Sequence, residues 1–198
     1  MLPTKERAEA ELRAAEALNP GAWAEHSRYA ARACENIAAR CPGLDAGTAY
    51  ILGLLHDIGR RAGRCRDHHM PEGYRYCMAQ GWEKPAVICI THGFALQRID
   101  SALSADDFTP EDSALVDRVL KTVAYDDYDR LVQLCDALAL PTGFCLLETR
   151  FVDVALRYGT PPILAERWKK TLAIKADFEK KMGCCLYDVL PGAEKHHL

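Results

Sequence analysis

His56 and Asp57 stand side by side near the end of Tyr50-Ile-Leu-Gly-Leu-Leu-His-Asp-Ile-Gly59, an apolar run that delivers an imidazole and a carboxylate and stops at glycine. Both side chains are metal-ligand types, and both are costly to desolvate unless paired or coordinated, so their position on an apolar helix calls for partners. A lone histidine on such a helix is usually a satisfied core residue. Two further segments alter that balance: His26, in Ala24-Glu-His-Ser-Arg-Tyr-Ala30, lies thirty residues before His56, and Asp136 lies in Leu131-Val-Gln-Leu-Cys-Asp-Ala-Leu-Ala139.

The order His, His-Asp, Asp resembles the HD-domain superfamily of metal-dependent phosphohydrolases, over roughly residues 20 to 145. The resemblance implies that His26, His56, Asp57 and Asp136 bind one divalent metal from three helices. His69 opens His-Met-Pro-Glu-Gly73, close to the His-Pro-x-x-Gly of binuclear members but with the proline displaced by one position, and His92 closes Ala86-Val-Ile-Cys-Ile-Thr-His-Gly93. These two imply a second metal, bridged by Asp57. His68 is the alternative to His69, and the glycine four residues after His69 favours the latter. The arrangement also looks similar to bacterial hydrolases that cut dinucleoside tetraphosphates symmetrically, without implying their substrate.

Two groups of side chains are candidates for substrate contact. Arg60 and Arg61 follow the doublet directly, Arg64 and Arg66 extend the same loop, and guanidinium groups bind phosphate bidentately. A solvated surface loop is the alternative; at least one of Arg60 and Arg61 is expected to bind phosphate, which makes them catalytic candidates with Asp57. In Tyr125-Asp-Asp-Tyr-Asp-Arg-Leu-Val-Gln-Leu-Cys-Asp136, residues Asp129, Gln133 and Asp136 fall at i, i+4 and i+7, on one helix face. Asp136 is expected to ligate metal. For Asp129 and Gln133 a substrate contact competes with an ion pair across the bundle and a satisfied backbone group.

The elements that must position these groups read as helix after helix, with no convincing strand. Helices are expected over 6–17, 22–39, 46–58, from Pro71 toward Gly81, 85–92, from Thr109-Pro-Glu-Asp112 onward, 128–140, 143–158 and 160–182. Gly59 is expected to end the third through positive φ. Residues 94–108 read as an aperiodic connection and a candidate lid. The fold class is all-α, a single-domain bundle of HD type with eight to nine helices spanning 1–198, whose C-terminal helices at 143–182 pack on the 20–145 core.

Composition agrees with an enzyme domain. With 198 residues, 49% hydrophobic and 27% charged, the chain can bury a substantial core, and its net charge of −3 offers no basic stripe for polymeric nucleic acid. No apolar signal core opens the sequence and no run reaches the roughly eighteen residues needed to span a bilayer, so a cytoplasmic protein without membrane contact is expected. Of nine cysteines, Cys34, Cys89, Cys135 and Cys145 sit in apolar helical stretches as small hydrophobes, and Cys184-Cys185 cannot easily pair with each other. The terminal His196-His197 receives no role. Tyr74, Tyr76, Trp82 and Phe94 read mostly as core.

The expected function is hydrolysis of a phosphate ester or anhydride of a small phosphorylated molecule, a nucleotide in the first instance, using one or two ions of Fe, Mn, Zn, Ni or Co. The alternatives are a regulatory or sensor module without turnover and a di-iron oxygenase. Oligomeric state is not legible.

Overall fold

The computed structural model describes residues 1–63, 66–103 and 107–195, so Arg64 and the His196-His197 tail lie outside the described residues. Nine α-helices run through them: α1 (Lys5–Leu18), α2 (Trp23–Ala38), α3 (Ala46–Leu55), α4 (His69–Ala79), α5 (Glu83–Thr91), α6 (Pro110–Thr122), α7 (Asp127–Leu138), α8 (Leu147–Tyr158) and α9 (Ile163–Met182). The fold is all-α apart from a two-residue antiparallel ladder, β1 (Ala139–Leu140) with β2 (Gly143–Phe144), in which Ala139 faces Phe144. That ladder takes the last residues expected of α7 and the first expected of α8. Among the described residues, no helix is long and apolar enough to cross a membrane.

Helix α3 is the hub. Its ten residues are too few to be stable on propensity alone, but Leu52, Leu54 and Leu55 are fully buried, each contributing about 1.5–3 kcal/mol relative to exposure. Asp45 starts the helix by accepting the Thr48 amide at 2.7 Å. At Gly53 an added Cβ would stand 2.8 Å from Cys34 Sγ and 2.9 Å from Ala31 Cα, so glycine here lets α2 lie against α3. That close approach puts His26, in the first turn of α2, beside His56 at the end of α3.

Several boundaries differ from expectation. Helix α3 stops at Leu55; His56 is its C-cap, and Asp57 precedes a short 3₁₀ segment, Ile58–Ala62, so the doublet stands past the last helical turn rather than within it. Gly59 does not have positive φ. It is needed for close approach, because a Cβ would collide with the His69 carbonyl oxygen and the Gly73 amide, which lock α4 against this turn. Helix α4 begins at His69, two residues before Pro71.

Of the candidate lid at 94–108, residues 104–106 lie outside the described residues, and its first part is tied to the core. Phe94 is fully buried, Gln97 Nε2 donates to the Leu120 and Val123 carbonyls at 3.1 and 2.7 Å, and Tyr125 Oη donates to the Phe94 carbonyl at 3.0 Å. The chain beyond α9 also belongs to the core: Leu186, Leu190 and Ala193 are fully buried against α2 and α7 residues, and Asn36 Nδ2 donates to the Val189 carbonyl at 2.9 Å. The eight described cysteines are free thiols, six of them buried.

Candidate metal centre

Helix ends converge on one point. His56 and His92 are the C-caps of α3 and α5, Asp136 lies in the last turn of α7, His26 in the first turn of α2, and His69 opens α4. Three of these five are carboxyl-terminal ends, where the partial negative charge of the backbone favours a cation.

Every imidazole is held the same way. Nδ1 faces a backbone carbonyl in each case: Ala139 at 3.1 Å for His26, Gly53 at 2.7 Å for His56, Arg66 at 2.5 Å for His69 and Ile88 at 3.0 Å for His92. A carbonyl only accepts, so Nδ1 carries a proton and Nε2 is the atom turned inward, the one that offers a lone pair to a metal in the neutral ring. These carbonyls are the outer partners that fix tautomer and ring orientation in metal sites.

The inward atoms form two groups that share one carboxylate: His26, His56 and Asp57, and Asp57, His69 and His92. In the first, His26 Nε2 lies 3.3 Å from His56 Nε2; Asp136 stands beside this group, its Oδ1 2.9 Å from His26 Nε2 and 3.7 Å from His56 Nε2. In the second, Asp57 Oδ1 lies 2.9 Å from His69 Nε2 and 3.7 Å from His92 Nε2, and the two Nε2 atoms are 3.5 Å apart. Ligands bound at ~2.1 Å with tetrahedral to octahedral angles have donor atoms ~3.0–3.4 Å apart, so several of these spacings match a shared ion, and the wider ones need only wider angles. The donor set therefore fits a divalent transition metal.

Electrostatics agree. Burial alone would raise the Asp57 and Asp136 carboxyls, yet both are held well below the usual carboxylate range, Asp57 by Arg60, His69 and His56, and Asp136 by His26 and His56. Burial, reinforced by the charge of His56, pushes His92 down to about 3, keeping it neutral and ligand-ready. His56 is raised, because Asp57 and Asp136 outweigh the effect of its burial.

The remaining candidates divide. Arg60 donates Nε–H to Asp57 Oδ2 at 2.5 Å and lines the cavity, which leaves Asp57 Oδ1 for the centre. Arg61 turns the other way, over the Tyr76 ring at 3.9 Å and 3.7 Å from Glu11, which also accepts the Tyr76 hydroxyl. It is a packing residue between α1 and α4. His68 is turned aside too, with Nδ1 3.1 Å from Asp112. Asp129 is fully buried in a structural network, closing the α7 capping box, meeting Lys84 at 2.7 Å and accepting Thr91 Oγ1 at 2.6 Å. Gln133 ties α7 to α5 by donating to the Thr91 carbonyl at 2.8 Å, and reaches the cavity only as part of its wall.

The centre opens into a cavity of about 610 Å³. Its far wall comes from α8 and α9, where Phe151 and Trp168 stack with centroids 5.2 Å apart and planes 13° apart, beside Arg150, Arg157 and Arg167. None of these entered the sequence expectation. A signal existed: Leu164, Arg167, Trp168 and Thr171 fall at i, i+3, i+4 and i+7, one face of α9, and all four line the cavity.

Comparison with known proteins places part of this design. No curated protein and no solved structure matches the chain, and no likeness to dinucleoside tetraphosphate hydrolases emerges. The family model of the HDOD domain, an HD-related domain, matches residues 6–105, which carry His26, His56, Asp57, His69 and His92 but stop short of Asp136. With half of its length matched and its buried His/Asp groups in that segment, the chain belongs to the HDOD-domain family.

Proposed function

We propose that this protein is a metal-dependent phosphohydrolase that cleaves a phosphate ester or anhydride of a small phosphorylated molecule, a nucleotide in the first instance, in the cytoplasm. The observation that carries this reading is the pair of ligand groups joined through Asp57, with four imidazoles oriented by backbone carbonyls and two carboxylates kept ionised. His26, His56, Asp57 and Asp136 would hold one ion, and Asp57, His69 and His92 a second. When bound, such an ion lowers the pKa of a water toward neutrality and polarises a phosphoryl oxygen.

The chain's own residues supply orientation and enclosure. Arg60 restrains one oxygen of Asp57, the backbone carbonyls restrain the imidazoles, and α8 and α9 supply the wall that faces the centre across the cavity. A cavity of about 610 Å³ lies in the range of small-molecule sites, and the stacked Phe151–Trp168 pair offers an aromatic surface suited to a planar base. A net charge of −3 and free cysteines support a small substrate, not a nucleic-acid polymer, and a reducing compartment.

Membership of an HD-related domain family favours one second reading, a metal-loaded output module without turnover. Phosphate release from a panel of nucleotides and simple phosphate monoesters, with Mn, Fe, Co, Ni or Zn added, separates the two. The hydrolase reading expects release with at least one metal and a loss of at least about a hundredfold in Asp136→Asn. No release with any metal would leave the module.

A further inference from the structure

The cavity's arginines are not equivalent. Arg60 is paired with Asp57, while Arg150 and Arg157 both pair with Asp153, at 3.1 and 2.6 Å. Arg167 is different. Its hydrogen bonds go to two carbonyl oxygens, Gly93 at 3.1 Å and Ser101 at 2.6 Å, and among the described residues no carboxylate lies within ion-pair distance of it. Both bonds use Nη1, so the Nε and Nη2 donors of the fork are left for an occupant of the cavity that Arg167 lines. The partly buried guanidinium makes hydrogen bonds only to neutral oxygens and feels Asp67 and Asp136 at longer range, so its charge and its unused donors can act on an anion in the cavity.

Its position is fixed relative to the metal centre. Gly93 directly follows His92, so the bond to its carbonyl places the guanidinium one residue from a ligand of the second group. Arg167 lies outside the matched 6–105 segment, on a helix that the HDOD match does not cover.

We propose that Arg167 is the phosphate-binding residue of this centre, its free fork taking an oxygen of the phosphoryl group presented to the His/Asp cluster. The inference rests on the hydrolase reading for the identity of the ligand as a phosphate. It moves the phosphate contact from the loop after the doublet to α9. Planar, bidentate recognition is what distinguishes arginine from lysine at such a place.

Titration calorimetry with inorganic phosphate, alongside metal content and far-ultraviolet circular dichroism, tests this on the full chain. The variants are Arg167→Ala, Arg167→Lys and, as a control from an exposed position on the same helix, Lys169→Ala. Phosphate affinity should fall roughly a hundredfold in Arg167→Ala and roughly tenfold in Arg167→Lys, and stay at the wild-type level in Lys169→Ala, with metal content per chain unchanged. Unchanged affinity in Arg167→Ala with metal in place would overturn the proposal while the hydrolase reading stands. If Arg167→Ala loses its helical spectrum, Arg167→Lys decides, and wild-type affinity there would overturn it equally. A wild-type protein that binds no phosphate overturns it as well. Arg167-dependent phosphate binding without metal would uphold Arg167 and sink the metal reading.

Discussion

The Nε2 atoms of His26 and His56 face each other 3.3 Å apart, and neither neutral ring has a proton to place between them. Each must present its N–H at Nδ1, where a backbone carbonyl waits. Two lone pairs so close repel unless a cation lies between or a proton joins one of them. Asp57 and Asp136 outweigh burial and raise His56 above its ordinary pKa, which favours a proton on that ring when no cation is bound.

Metal uptake below the folded pKa of His56 should therefore expel a proton. Calorimetric titration of metal into metal-free protein, in buffers of different ionisation enthalpy, should give release of up to about one proton per first-site ion. Heats that stay independent of the buffer down to about pH 6 would contradict a proton held on His56 in the metal-free protein.

The pH dependence of metal-free stability carries a second test, centred on His92. Its folded pKa, depressed to about 3, lies below the ordinary histidine value, so the unfolded chain binds the extra proton first. Its contribution is present above about pH 6.5 and is lost as pH falls toward 3. His56 is raised and has the opposite sign, stabilising below the ordinary histidine value and losing that stabilisation as pH rises through its folded pKa. In chelator-treated protein, the melting temperature of wild type relative to His92→Gln should fall as pH is lowered from 7 to 5. A gap that widens on acidification would show that His92 is not buried neutral.

Gly59→Ala should act on both stability and the second ion. The added methyl collides with the His69 carbonyl and the Gly73 amide, backbone atoms that cannot step aside without moving α4. A loss of roughly 2–4 kcal/mol by chemical denaturation is expected, with His69 displaced and metal content reduced. A variant as stable as wild type would mean that the turn and α4 are not locked.

Asp129→Ala should behave as a structural mutation. It removes the Asp129 half of the α7 capping box, strands Thr91 and leaves Lys84 with Asp126 alone, for a cost of roughly 1–3 kcal/mol, while metal content per folded chain stays at the wild-type level. Loss of metal without loss of stability would return Asp129 to the site.

What the sequence discloses follows physical lines. Helices with strong local chemistry are legible: the Thr109–Asp112 capping box and the apolar run of α3 both announce themselves. Whether His56 is the last helical residue or the cap is decided by single hydrogen bonds, which pattern cannot resolve. Gly59 shows as a glycine, but its reason, contact with α4, is tertiary. Arg60 and Arg61 are indistinguishable in sequence because adjacent residues on a tight turn diverge by geometry alone. Arg167 stays hidden because its partners, the Gly93 and Ser101 carbonyls, lie more than sixty residues away and carry no side-chain signature. The burial of Leu186 and Leu190 after α9 is equally a matter of tertiary packing.

The most direct test is elemental analysis of protein purified without a metal-affinity step, in wild type, Asp57→Ala, Asp136→Ala and His69→Ala. Two ligand groups sharing Asp57 predict close to two transition-metal ions per chain in wild type, about one in each of Asp136→Ala and His69→Ala, and neither in Asp57→Ala. Metal-free wild type that takes up no ion on reconstitution, or an Asp57→Ala variant that keeps its metal, would contradict the shared centre.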